Sequence, residues 1–68
     1  KDYAKAVDDY TRAIELDPNL AEAYYNRGLT RIRANNRTQG IADLSKAGEL
    51  GLYGAYSLIK QYSADKNK

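Results

Sequence analysis

Neither cysteine nor histidine occurs among the 68 residues, and proline occurs once. The first absence excludes disulfide staples, although cysteine-free domains exist in reducing and oxidising compartments alike. The second removes the commonest acid–base group and the commonest metal ligand, and the carboxylates fall in no ligand-loop pattern. No apolar run approaches the roughly 18 residues that a membrane span needs, and no signal-peptide pattern opens the sequence. The default expectation is a soluble, cytoplasmic protein without cofactor or metal. Phosphate-cradling glycine loops are missing too: Gly48, Gly51 and Gly54 are three apart and flank a helix end. Asp8 and Asp9 are adjacent, so on a helix their side chains diverge by about 100° and do not form a catalytic pair. A chain this short buries only about 60% of its unfolded surface, and four helices of this size are expected to leave no room for a pocket of a few hundred cubic ångströms. These absences point away from an enzyme.

Charge is unevenly spread. Residues 1–25 hold three basic and six acidic groups, a net of −3, whereas residues 26–68 hold eight basic and three acidic, a net of +5. Arg27, Arg31, Arg33 and Arg37 lie together without an acid among them. Read as a nucleic-acid patch, the cluster fails to make a continuous stripe, because Arg27 and Arg31 share a helix face while Arg33 and Arg37 point elsewhere. The simpler reading is solvated arginines and ion pairs to acids on neighbouring helices, with no nucleic-acid partner and no membrane. Asn36-Arg37-Thr38 matches a glycosylation acceptor, a triplet that arises often by chance.

The chain repeats itself. Val7–Leu16 set above Ile41–Leu50 gives identical Asp, Ala, Glu and Leu and conservative pairs at Val7/Ile41, Tyr10/Leu44, Thr11/Ser45 and Arg12/Lys46, every pair 34 residues apart. Ala21 maps onto Ala55 and Tyr24 onto Leu58 in the same register. Each copy reads as helix. Tyr3, Ala6, Val7, Tyr10, Ala13 and Ile14 alternate spacings of three and four, an apolar stripe on one face. Asp17-Pro18-Asn19 interrupts it, since the residue before proline is pushed out of the helical region. A second helix is expected from Leu20 or Ala21 to Arg33 or Ala34, with Glu22 favourable in its first turn. Asn35-Asn36 reads as a turn, with Thr38 as the cap of a third helix striped by Ile41, Leu44, Ala47 and Leu50. Gly51 stops that helix, and a fourth is expected from about Tyr53 to Tyr62, followed by a frayed polar tail at 63–68. Gly40 and Gly48 each cost the third helix about 1 kcal/mol relative to alanine, so propensity alone makes it exchange amide protons faster than the second.

A helix–turn–helix unit of this period resembles the tetratricopeptide repeat (TPR) family. The first unit supplies Tyr3, Ala6, Tyr10, Ala13 and Pro18 of the family pattern. The second supplies Tyr24, Gly28 and Ala47, with Leu44 for the usual aromatic, in a phrase Ala23-Tyr24-Tyr25-Asn26-Arg27-Gly28 typical of members. Departures are Arg27 for leucine, Arg31 for tyrosine, Gly40 for alanine and Leu52 for proline, and Tyr62 falls where a third unit would have glycine. The resemblance is strong over residues 1–52 and weaker over 53–62. It implies an all-α fold of about four helices, antiparallel hairpins stacked as an α-solenoid: 1–18 as the second helix of one repeat, 19–52 as a full repeat and 53–62 as a capping helix. The chain opens in the middle of a unit, so either a longer solenoid or another copy is expected to cover the Tyr3/Val7/Tyr10 edge.

Family members bind peptides in the concave groove lined by the first helix of each unit. The resemblance places that groove at Glu22, Tyr25, Asn26, Leu29, Ile32 and Arg33, followed by Tyr56, Ile59 and Lys60. Asn26 also sits where members that clamp acidic C-terminal tails have an asparagine, and Lys60 is basic near another clamp position, but the first-unit clamp residues would lie on the absent first helix. A protein or peptide partner is thus the expectation, and the alternative is a structural scaffold or self-association repeat without a groove ligand.

Overall fold

The computed structural model describes residues 2–65. Four helices follow one another: α1 (Tyr3–Leu16), α2 (Ala21–Arg33), α3 (Arg37–Glu49) and α4 (Gly54–Asp65). Their ends are set by short-range hydrogen bonds. Asp2 caps α1, its Oδ1 accepting from the Lys5 amide at 3.0 Å, which satisfies one of the donors a helix start leaves free. Beyond α1, Asp17 Oδ1 accepts from the Asn19 amide at 3.2 Å and folds the chain around Pro18.

Both remaining turns end a helix in the same way. Asn35 has φ +70° and Gly51 φ +111°. After α2 the Asn35 amide donates to Ile32 O and the Asn36 amide to Arg31 O; after α3 the Gly51 amide donates to Gly48 O and the Leu52 amide to Ala47 O. This paired closure consumes carbonyls that the helix end would leave unmet, and it needs a left-handed residue, which glycine and asparagine supply at least cost. Because Asn35 reverses the chain in one residue, Asn36 arrives directly at the N-cap of α3, its Oδ1 accepting from the Gln39 amide at 3.4 Å and its Nδ2 donating to Gln39 Oε1 at 2.9 Å. Thr38 is therefore not the cap but a residue of the first turn. The fourth helix also departs from its expected limits, starting at Gly54 and running through Ser63 to Asp65. No proline or glycine follows Tyr62 to stop it, and Ala64 is the best helix former; residues 66–68 of the expected tail lie outside the described residues.

Each helix makes its main contacts with its neighbour in sequence, and α2 with α3 is the most extensive pair, as stacked helical hairpins require. Two glycines make that closeness possible. A Cβ built on Gly28 would stand 2.8 Å from Gly40 O, and one on Gly40 would stand 2.7 Å from Gly28 O and 2.6 Å from Ile32 Cγ1. Gly40, where the family has alanine, thus lets backbone meet backbone. The core is Leu44, Ala47 and Ala55, all fully buried, with Tyr24, Tyr25, Ile32, Leu52, Leu58 and Ile59 packed around them. Burying a leucine side chain contributes about 2 kcal/mol, so Leu44 anchors a core made otherwise of small residues. By contrast α1 buries no residue, and its last leucine, Leu16, is 88% exposed.

Candidate functional site

On α2, Glu22, Asn26, Leu29 and Arg33 recur at intervals of four, three and four, which places them along one line of the helix. Glu22, Asn26 and Arg33 are exposed and Leu29 half-buried. At the N-terminal end of that line a concavity of about 540 Å³ opens between α2 and the connection to α4, lined by Glu22, Tyr25, Asn26, Leu52 and Gly54. Three of the nine expected groove residues therefore meet in one place. It is an open surface depression and not an enclosed cavity: Gly51 turns the chain out of α3, and Leu52 and Gly54 line the side opposite α2. Nothing in the residue pattern of Leu52 announced a lining role, because it reads only as the family's missing proline.

The other six expected residues do not line this concavity. Ile32 is committed to packing, its Cγ1 lying where Gly40 lacks a side chain. Ile59 packs against the Leu44–Ala47–Ala55 core. The Tyr56 ring lies across Gly48, its nearest carbon 2.5 Å from where a Cβ would stand, although the residue remains 47% exposed. Arg33 and Lys60 are exposed, and Leu29 lies between Asn26 and Arg33. A second concavity, about 360 Å³, is bounded by Tyr3, Val7 and Asp8 of α1 with Arg31, Asn36 and Gln39, and contains none of the expected groove residues.

Arg27 and Arg31 leave the surface. Arg27 Nε and Nη2 donate to the two oxygens of Asp43 at 2.9 and 2.8 Å, and Arg31 Nη1 donates to Asp43 Oδ2 at 2.9 Å. The remaining Arg27 donor, Nη1, reaches Thr11 Oγ1 on α1 at 3.0 Å, so one guanidinium ties three helices together. Tyr24 stands beside it, its ring centroid 5.6 Å from the guanidinium carbon. The hydrogen bond to Asp43 holds the Arg27 pKa above its ordinary value, against the opposing pull of partial burial and with help from the Asp43 charge and Tyr24. This fork-to-carboxylate pairing is the strong form of a charged hydrogen bond. Two of the four clustered arginines are accordingly ion-paired to an acid on a neighbouring helix. Among the described residues no group of His, Cys, Asp or Glu is placed to hold a metal, and no helix is long and apolar enough to cross a membrane.

Comparison with known proteins agrees with this architecture. A family model described as TPR repeat matches residues 1–33. Small glutamine-rich tetratricopeptide repeat-containing protein beta of Homo sapiens is 49% identical over 43 residues, 63% of this chain and 14% of that protein. Protein SGT1 homolog of Oryza sativa subsp. japonica is 43% identical over 49 residues, 72% of this chain and 13% of that protein. The chain thus spans about one seventh of the length of these relatives. No solved structure matches at the same level.

Proposed function

We propose, from the premise that this chain belongs to the tetratricopeptide repeat family, that it is a protein-interaction module taking a peptide or protein segment along the exposed line of α2, with no catalytic role. The observation that carries the reading is the convergence of Glu22, Tyr25 and Asn26 with Leu52 and Gly54 on one concavity of about 540 Å³. Its lining has the mixture that peptide recognition uses. Tyr25 offers broad, rigid area, the Asn26 amide both donates and accepts, and Leu52 supplies an apolar wall. Arg33 lies eleven residues beyond Glu22, about 16 Å along the helix at 1.5 Å per residue, within reach of a segment about five extended residues long. Residues 19–52 form the complete repeat in this reading, with 1–18 as the second helix of the preceding unit and α4 as the cap.

Titration of isotope-labelled protein with a peptide pool that includes free acidic C-terminal tails tests it. Amide shifts at Tyr25, Asn26, Leu29, Arg33 and the fourth helix are expected with at least one peptide. No shift in this set at millimolar peptide sinks the groove reading. One observation favours the second reading, a scaffold or self-association repeat: α1 is amphipathic, yet its apolar stripe is only half-buried and Leu16 is 88% exposed.

A further inference from the structure

The concavity beside α2 has a sign of charge. Of its lining residues, Glu22, Tyr25, Asn26, Leu52 and Gly54, only Glu22 is charged, and it is exposed. Among the described residues the ion pairs join Arg27 and Arg31 to Asp43, and Glu22 belongs to none. The starts of α2 and α4 border the concavity and oppose this sign weakly. Each carries a partial positive charge of about half a unit, confined to its first turn. There the Ala23, Ala55 and Tyr56 amides already donate to the carbonyls of Leu20, Leu52 and Tyr53. Backbone amides also stay where the helix holds them, whereas the Glu22 side chain can meet a bound group in direct contact. Arg33, on the same line of α2, lies about 16 Å away at 1.5 Å per residue. That is beyond the screening length of about 8–10 Å at ordinary ionic strength.

We infer that this concavity seats a basic side chain of the bound segment, its cationic head on the Glu22 carboxylate. The inference rests on the peptide-groove reading above and adds the chemistry of the ligand. A lysine or arginine side chain has an apolar stem and a charged tip, and it lays the stem on apolar surface while the tip stays near water. Half-buried Leu52 and the half-buried Tyr25 ring offer that surface. Glu22 and the Asn26 amide oxygen are the acceptors for the tip. Gly54 keeps the opening clear, since open space lies where its Cβ would go. An acidic tail meets a like charge at this end of the groove, and Arg33 answers it only at the other.

The test uses the full 68-residue chain, isotope-labelled, and three sets of hexapeptides blocked at both ends. The sets match position by position, except that one residue is lysine, norleucine or glutamate. Amide shifts at Glu22, Tyr25, Asn26, Leu52 and Gly54 are expected with the lysine set, and about tenfold weaker binding with the glutamate set. E22Q should weaken the lysine peptides about fivefold at low salt, the upper end for a solvent-exposed charge pair. E15Q, the same change of net charge at another exposed acid, should leave them within about twofold. Norleucine or glutamate peptides that bind these amides as tightly as lysine peptides overturn the inference and leave the groove reading standing. Equal losses in E22Q and E15Q overturn it too, because the attraction is then general and not seated at Glu22. If no set shifts these amides at millimolar peptide, the groove reading itself falls and the inference with it.

Discussion

Asp43 accepts three hydrogen bonds from two arginines while being only 6% exposed. Removing it strands two guanidinium groups whose side chains are 14% and 22% exposed. Breaking a buried pair from one side costs about 3–5 kcal/mol, against about 5 kcal/mol of total stability for a domain near this size. D43A should therefore be left with about 0–2 kcal/mol of stability and be partly unfolded at 37 °C by circular dichroism. Replacing Arg31 alone should cost less, because Arg27 keeps both carboxylate oxygens. On the arginine side the pair has no pH dependence near neutrality. A raised folded pKa gives a contribution that is complete below the unfolded value and lost only above the folded one, far into the alkaline range. At the proposed peptide face, Y25A should weaken a responding peptide about tenfold, the usual consequence of truncating a central aromatic contact. Equal affinity of Y25A and the parent would remove the concavity from the binding site. That Asp9 and Asp43 are the same residue of two repeats was readable from their spacing. That one is gripped by two arginines and the other stands in solvent was not, because each fate depends on which helix lies opposite.

Between elements, glycines decide. Propensity favours alanine over glycine inside a helix by about 1 kcal/mol, yet G40A would drive a methyl to 2.7 Å from the Gly28 carbonyl oxygen and 2.6 Å from Ile32 Cγ1. Overpacking of this kind costs about 1–3 kcal/mol, so G40A should lower the melting temperature despite its better propensity. Gly54, at the start of α4, has open space where a Cβ would go, and G54A should raise the melting temperature through the unfolded chain alone. The two variants side by side separate packing from propensity. The same contest governs the third helix as a whole. Its glycines make it the weakest by propensity, but it fully buries Gly40, Asp43, Leu44, Ala47 and Gly48, whereas the apolar stripe of α1 is only half-buried. Amide exchange should consequently find α3 protected at least as well as α2, and α1 the least protected of the three. Faster exchange in α3 than in α2 would show propensity winning over burial.

At the scale of the molecule, contacts run from each helix to the next in sequence, and the described residues form a slab of 38 × 28 × 14 Å. A stack of this kind has two ends, and its stability is a sum of neighbour terms. The 34-residue self-similarity, the apolar stripes and the Pro18, Asn35 and Gly51 punctuation determine by themselves an all-helical repeat with its helices in nearly their observed places, because these signals act within a few residues of one another. Of the nine expected groove residues, Glu22, Asn26 and Arg33 were legible as exposed residues along one line of α2 for the same reason. Only the tertiary structure decided the rest: that Asn36 and not Thr38 caps α3, that Ile32 and Tyr56 are spent filling the space over Gly40 and Gly48, that Leu52 and Gly54 wall the concavity, and that Arg27 and Arg31 are tied to Asp43. The Asn36 cap aside, which the turn at Asn35 sets locally, each of these depends on which surfaces meet across the helix stack, and local spacing carries no record of what a side chain will find on the other side.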